Sequence, residues 1–400
     1  MGDRPTLILL VGSNPLPNYL VACALRPGRI ALVYTDETKE AKDRLRRELT
    51  RTLGNGVALD EPFVEDATCA TTVRRILDPL MHSDGGRPVL LNYTGGTKVM
   101  AAHARMAFSS SGGRPEHASY LDEGGIDRQA RLRFDDGNSM PLADYPEIPL
   151  TLAPLLALHG ITHKAREAKS PAPTIDDARE ILRKVLADVP LAAALYRERE
   201  RLEEFRDPNK VTSDPFRAER YGLTLSLPEF PTNDQISQLN NANEKRSWFK
   251  QWYSFIGGEW LEEWLGAQIR ALELAPVPEI TVGVNAYRGE REAPLEVDVA
   301  VIRGHRSYFV SCTTDTGKPI CKSKLFEVAV RSRQLGGDLA RAALVCLADD
   351  RTASALQADV DDVWGASNTT RVFGLSDVRA WSDCDSKQPN RYSLKTWLES

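Results

Sequence analysis

The sequence has no Cys-x-x-Cys pair. Its six cysteines, Cys23, Cys69, Cys312, Cys321, Cys346 and Cys384, stand singly. This spacing argues against a zinc ribbon and gives no disulfide framework. The apolar run in MGDRPTLILLVG is far shorter than the ~20 residues of a membrane span. No small-residue cleavage site follows it. Thr6 stands where an N-myristoylation pattern wants Ser or Thr, but LILLVG reads better as a core strand. A strong charge of either sign is also missing. With 51 Lys and Arg against 56 Asp and Glu, the formal net charge is −5, so any contact with a polyanion must be local. No GxGxxG follows the first apolar strand and no GxxxxGK[ST] occurs, which argues against a dinucleotide coenzyme and a P-loop. Internal repeats and low-complexity tracts are absent. A cytoplasmic, reducing setting without membrane contact is expected.

What is present is an ordinary globular composition over 400 residues, 42% hydrophobic and 27% charged. That length suits two or three domains of roughly 100–200 residues. Residues 1–145 alternate strand and helix. TLILLVG (6–12), IALVY (30–34) and VLLNYT (89–94) are continuous apolar runs, as strands buried on both faces should be. Between them lie a helix with the stripe Ala41, Leu45, Leu49 and Leu53, and a second helix over 70–81. A helix over 97–108 and strands over 117–122 and 130–136 follow. This order predicts a Rossmann-like parallel sheet with helices on both faces. Residues 146–250 open in a proline-rich stretch and carry helical patterns at 176–189 and 193–205. They read as a helical linker or small helical module. Residues 251–400 form a second α/β unit: a helix over 257–274, strands over 280–289, 295–304 and 306–314, a helix over 322–337, and a strand over 340–349.

Ligands of a doubly wound sheet bind beyond the carboxyl ends of its strands. Three such ends are rich in glycine and small polar residues: Gly12-Ser13-Asn14, Thr35-Asp36, and Asn92-Tyr93-Thr94-Gly95-Gly96-Thr97-Lys98. Glycines admit close approach of a ligand to the backbone. The N–H groups opening a helix at Thr97 favour an anion, and Lys98 adds a mobile positive charge. VGSNPLPN, YTDET and NYTGGTKVMAAHA resemble the CARF domain of CRISPR-associated proteins. The resemblance implies a homodimer that binds a cyclic oligoadenylate across its axis, with cyclic tetra-adenylate favoured. It implies a ligand lined by Gly12, Ser13, Asn14, Thr35, Asn92, Thr94, Gly95, Gly96, Thr97 and Lys98.

The second unit carries the chemistry. Alternation along 295–304 places Glu296, Asp298 and Ala300 on one face and Val297, Val299 and Val301 on the other. Glu259 shares a face of the preceding helix with Glu262 or Glu263. Carboxylates so placed suit Mg²⁺ or Mn²⁺ and phosphodiester hydrolysis. GGEWLEEW, EVDVAVIRG and FVSCTTD resemble the PD-(D/E)xK nucleases fused to CARF domains in type III CRISPR systems. With the first unit, the resemblance spans about two-thirds of the chain. It implies an allosterically activated endonuclease that cuts DNA or RNA, with Glu262 and Asp298 as metal ligands and Glu296 as a second acid. The E-x-K of that pattern falls on Ser311-Cys312-Thr313. Either the lysine has moved, to Lys322 or Lys324, or the domain is inert and only binds. Residues 316–333 hold five cations against Glu327, a local net charge of +4, which favours a phosphodiester groove.

Other signals read as structure. His159 and His163 lack a third ligand, and Arg75 and His82 fall in a core helix. Trp248, Trp252, Trp260 and Trp264 suit packing more than base stacking, and Cys312 has no histidine partner nearby.

Overall fold

The computed structural model describes residues 4–54, 56–82, 87–124, 129–145, 148–164, 168–203, 214–230, 232–287, 295–364, 369–382 and 389–400. Cys384, Pro146, the last two residues of the expected 193–205 helix and the last two residues of the expected 280–289 strand lie outside them.

The first unit runs β1 (Thr6–Leu10), α1 (Leu16–Leu25), β2 (Arg29–Val33), α2 (Lys39–Leu53), β3 (Ala58–Asp60), α3 (Ala70–Leu80), β4 (Val89–Asn92), α4 (Lys98–Ser110), β5 (Ala118–Asp122), β6 (Arg131–Phe134) and β7 (Ser139–Pro141). Its sheet has the order β3-β2-β1-β4-β5-β6-β7, parallel from β3 to β5 and antiparallel beyond. The chain winds outward from β1 to β2 and β3, then crosses to β4. The switch point therefore lies between β1 and β4, and the loops after these strands meet there. β1 is buried on both sides: Leu7 and Leu9 pack with α1 and α2, Ile8 and Leu10 with α3 and α4. The α2 stripe holds, with Ala41, Leu45 and Leu49 buried.

The middle region runs α5 (Leu152–Leu158), β8 (Thr162–Lys164), α6 (Ile175–Ala187), α7 (Pro190–Glu203), β9 (Phe216–Arg217), β10 (Glu229–Phe230), α8 (Asn233–Ser237), α9 (Ala242–Ser254) and α10 (Trp260–Arg270). The last part runs β11 (Glu279–Tyr287), β12 (Leu295–Arg303), β13 (Arg306–Thr313), α11 (Lys318–Gly336), β14 (Arg341–Cys346), α12 (Asp350–Trp364), β15 (Thr370–Phe373), α13 (Leu375–Ser382) and α14 (Tyr392–Glu399).

The second sheet has the order β15-β14-β13-β12-β11-β8. The expected helical linker is therefore no separate connector. It supplies the edge strand β8, and its helices α6, α7 and α9 bury Ile181, Leu195, Trp248 and Trp252 in the same core as Val299, Val301 and Val310. Amphipathic helices reveal that they need a partner surface, not which surface they cover. Trp260 and Trp264 are buried there too, so the four tryptophans are core. On the other face of the sheet, Ala300, Phe309 and Leu335 join Leu7, Leu20 and Leu155 in one apolar core. The two units thus share a continuous interior through α1, α2 and α5.

The helix expected from Gly257 begins earlier. α9 and α10 are joined by a π-turn at Phe255–Glu259, where Gly258 takes φ 156°. His159 ends α5 and His163 lies on β8, so they sit on different elements.

Candidate active site and ligand face

The second sheet opens at Asp298. β12 pairs with β13 from Arg303↔Arg306 to Val299↔Val310 and no further. Instead of a ladder carbonyl, the Cys312 N–H meets the Asp298 side chain, donating to Oδ2 at 2.6 Å. Ser311 Oγ donates to the same oxygen at 3.0 Å. On the other edge, β11 pairs with β12 on both sides of Asp298 but skips the Gly283–Asp298 step, where Gly283 takes φ +65°. Strict alternation breaks at this point. Val297 packs with Ala300 and Ile302, while Val299 and Val301 pack in the opposite core. Glu296 and Asp298 line the same cavity, as expected, but Val297 and Ala300 depart from their expected faces: a positive-φ glycine on a neighbouring strand re-aims the chain, as at a bulge.

Beside this fork lies a cavity of about 590 Å³. Glu259 and Glu262 reach it from the π-turn and the first turn of α10, Glu296 and Asp298 from β12, and Lys324 from α11. Glu296, Asp298, Ser311 and Lys324 also line a smaller pocket behind the fork, closed by Glu327 and Arg331. Burial pushes the Asp298 carboxyl above the usual carboxylate range. The Cys312 N–H, the Lys324 charge and the Ser311 hydroxyl pull in the opposite direction. Burial holds the Cys312 thiol well above its ordinary value, and the acids Asp298 and Glu262 add to this. A thiol kept protonated is no nucleophile.

The two lysines separate. Positions 322 and 324 lie ~200° apart around a helix, so they cannot both face the fork. Lys322 turns to α12 and pairs with Asp359 at 2.9 Å, beside Lys318 at 3.3 Å. Lys324 has no carboxylate partner among the described residues. Lys322 is therefore withdrawn as a candidate for the site.

Among the described residues, no group of three or more His, Cys, Asp or Glu side chains could hold a metal ion. The donor chemistry still fits Mg²⁺ or Mn²⁺. These ions use one or two protein carboxylates and take their remaining ligands from water and phosphate. Glu262 and Asp298 supply two carboxylates in one cavity.

Sequence reasoning missed the opposite wall. α7 brings Tyr196, Arg197 and Arg199 to the cavity. The available signal was the RERER run at 197–201, a density of arginine beyond what a connector helix needs.

In the first unit the strand ends meet at the switch point. A Cβ on Gly95 would lie 2.1 Å from Leu10 O, and one on Gly12 would lie 3.5 Å from Gly96 N. Ser13, Gly96, Thr97 and Lys98 are exposed there. Thr97 caps α4, accepting from Met100 N at 3.1 Å. Other expected ligand residues serve the frame. Asn92 is fully buried; it donates to Ser119 Oγ at 3.2 Å and accepts from Thr94 Oγ1 at 2.7 Å. Thr94 in turn accepts from Leu121 N at 2.7 Å. Thr35 is buried in a capping box with Thr38. Asn92 and Thr35 are thus corrected from lining residues to braces, because their polar atoms close the strand-end turns. Asn14 is half-buried: its Oδ1 accepts from Leu16 N at 3.0 Å and lies 3.3 Å from His159 Nε2.

The two units touch at this loop. A Cβ on Gly337, just beyond α11, would lie 2.8 Å from Asn14 Nδ2 and 3.1 Å from Glu123 Oε2. Glu123 Oε2 accepts from Asp338 N at 3.2 Å. Burial, and then the like charge of Asp338, push the Glu123 carboxyl up to about 7.

No family model and no curated protein matches the sequence. Solved structures do. Can2 from Sulfobacillus thermosulfidooxidans, solved in complex with cyclic tetra-adenylate, matches 99% of this chain and 100% of its own at TM-score 0.64 and 19% identity. Protein VC1899 from Vibrio cholerae matches 99% of this chain and 98% of its own at TM-score 0.69 and 17% identity. A type III CRISPR defence DNA nuclease activated by cyclic oligoadenylate matches 86% of this chain but 46% of its own, at TM-score 0.50 and 22% identity. Over nearly its whole length, then, including the middle region, this chain has the fold of Can2 and VC1899.

Proposed function

We propose that the protein is a metal-dependent nuclease switched on by a cyclic oligoadenylate in type III CRISPR defence. The observation that carries this reading is the fork at Asp298. It gathers a buried carboxylate, Glu262 and Lys324, which has no carboxylate partner among the described residues, around one cavity. The shared fold with Can2, solved with cyclic tetra-adenylate, supports the choice of activator.

In this reading the site is of the PD-(D/E)xK type with a displaced lysine. Glu262 and Asp298 would hold Mg²⁺ or Mn²⁺, with Glu296 as the outer acid. The bound metal supplies the positive charge that activates water and neutralises the leaving oxygen. Ser311 and the Cys312 N–H fix the orientation of Asp298. Lys324 sets its ammonium against the phosphoryl oxygens, where negative charge grows in the transition state. The substrate is nucleic acid.

In the first unit, two copies of the chain face each other across the switch point. The activator then rests on Gly12, Ser13, Gly95, Gly96, Thr97 and Lys98, with Asn14 at its edge. Backbone N–H groups at the α4 N-terminus suit its phosphates. No helix among the described residues is long and apolar enough to cross a membrane.

The test incubates purified protein with labelled DNA and RNA, Mn²⁺ or Mg²⁺, and cyclic tetra- or hexa-adenylate. Cleavage that needs both metal and activator, and that Asp298→Asn abolishes, is expected. Equal cutting by that variant overturns the site. Activator binding without cutting under every condition instead favours an inert, nucleic-acid-docking domain. The missing acid and lysine at Ser311 and Thr313 are the observation on that side.

A further inference from the structure

Helix α7 forms a cavity wall, although nothing in the nuclease reading assigns it a role. The stem of Arg199 lies on the π-turn that carries Glu259: a Cβ on Gly257 would fall 2.2 Å from Arg199 Cδ. Only glycine admits that approach. Among the described residues, Arg199 Nε is buried without a hydrogen-bond partner. Neither Arg197 nor Arg199 has a carboxylate partner among the described residues. Buried donors are ordinarily satisfied, and a guanidinium fork is shaped to take phosphate oxygens in pairs. Tyr196, one helical turn back, has its ring 5.5 Å from the Arg199 guanidinium and is 41% exposed. An open ring beside a cation is the pairing used to hold bases and backbone of a nucleic-acid strand.

We propose that α7 is a strand-binding wall, on which Arg199 and Arg197 hold a backbone phosphate beside the one being cut and Tyr196 stacks on a neighbouring base. The proposal rests on the nuclease reading and adds the element that positions its substrate.

The test uses the full-length protein carrying Asp298→Asn, which leaves bound strands intact, with Mg²⁺, cyclic tetra-adenylate and a labelled single-stranded oligonucleotide. Anisotropy is followed over a salt series. Adding Arg199→Gln should weaken binding about tenfold and lower the slope of log K against log salt by about one. Arg199→Lys should recover the slope. Tyr196→Ala should weaken binding about tenfold with the slope unchanged. In the cleaving protein, Arg199→Gln should raise KM and leave kcat within about threefold. If Arg199→Gln melts early, Arg197→Gln and Tyr196→Ala decide, since the atoms nearest the Gly257 Cβ position are all of Arg199. Parent and variants binding within about twofold, with one common slope, overturn the wall alone. A parent that binds no strand, together with a wild type that cuts none, brings down the nuclease reading and the wall together.

Discussion

The two sheets handle polar groups in opposite ways. At the switch point of the first sheet, Asn92, Thr94 and Thr35 use their hydrogen bonds on the frame. The outward surface is left to glycine, backbone N–H groups and a few exposed side chains. At the fork of the second sheet, charged side chains stand in the cavity itself, and the backbone is braced by one of them. The first arrangement suits a ligand that is recognised and kept. The second suits a reaction, where charge must be concentrated at one place.

The contrast can be broken most directly at the fork. Asp298→Asn should cut activator-dependent cleavage by on the order of 10³-fold and leave activator affinity unchanged, read by calorimetry. A matching loss of activator binding would show that the two regions are not separable in this way. Next comes the lysine pair. Lys324→Gln should lower kcat by about 100-fold. Lys322→Gln, which breaks a half-exposed pair with Asp359, should cost less than about 1 kcal/mol of stability and little activity. The reverse order would return the site to Lys322.

A gentler probe acts on the first sheet. Gly95→Ala forces a Cβ against Leu10 O and should destabilise the protein by about 1–3 kcal/mol or more in thermal melts. Gly56→Ala meets nothing within 4 Å and should stay within about 0.5 kcal/mol. The smallest effect is expected where the regions meet. Glu123 has its carboxyl raised from 4.5 to about 7. The folded chain therefore holds that proton more tightly than the unfolded chain. The resulting stability is present in full below about 4.5 and is lost as pH rises to about 7. Glu123→Gln should flatten the pH dependence of melting over that window. An unchanged slope would remove Glu123 from the junction.

Much of this was legible in the sequence, for physical reasons. Continuous apolar runs reported β1, β2 and β4. The glycines at 12, 95 and 96 were read as room for a ligand, and the structure shows that they also let two loops touch. Asp298 stood out because alternation along 295–304 set it beside Glu296 in a strand resembling that of the PD-(D/E)xK nucleases. The rest depended on tertiary contacts that leave no local trace. The burial of Asn92 follows from its bonds to Ser119 and Thr94, twenty-seven and two residues away. The choice between Lys322 and Lys324 was decided by the docking of α11 against α12. The role of α7 was hidden because its arginines face a cavity built from β12, β13 and the π-turn. The break in alternation at Asp298 came from Gly283, on a different strand.

The same fork limits how the site can be dissected. The Asp298 carboxylate stands in for a rung of the sheet, so the end of the β12–β13 ladder is set by a side chain. Alanine at this position removes the charge and also orphans the buried Cys312 N–H, at a cost of about 1–3 kcal/mol. An alanine variant that is inactive therefore confounds loss of chemistry with a sheet free to zip one residue further and close the cavity. Asparagine keeps an oxygen acceptor in that position and leaves the charge as the variable under test.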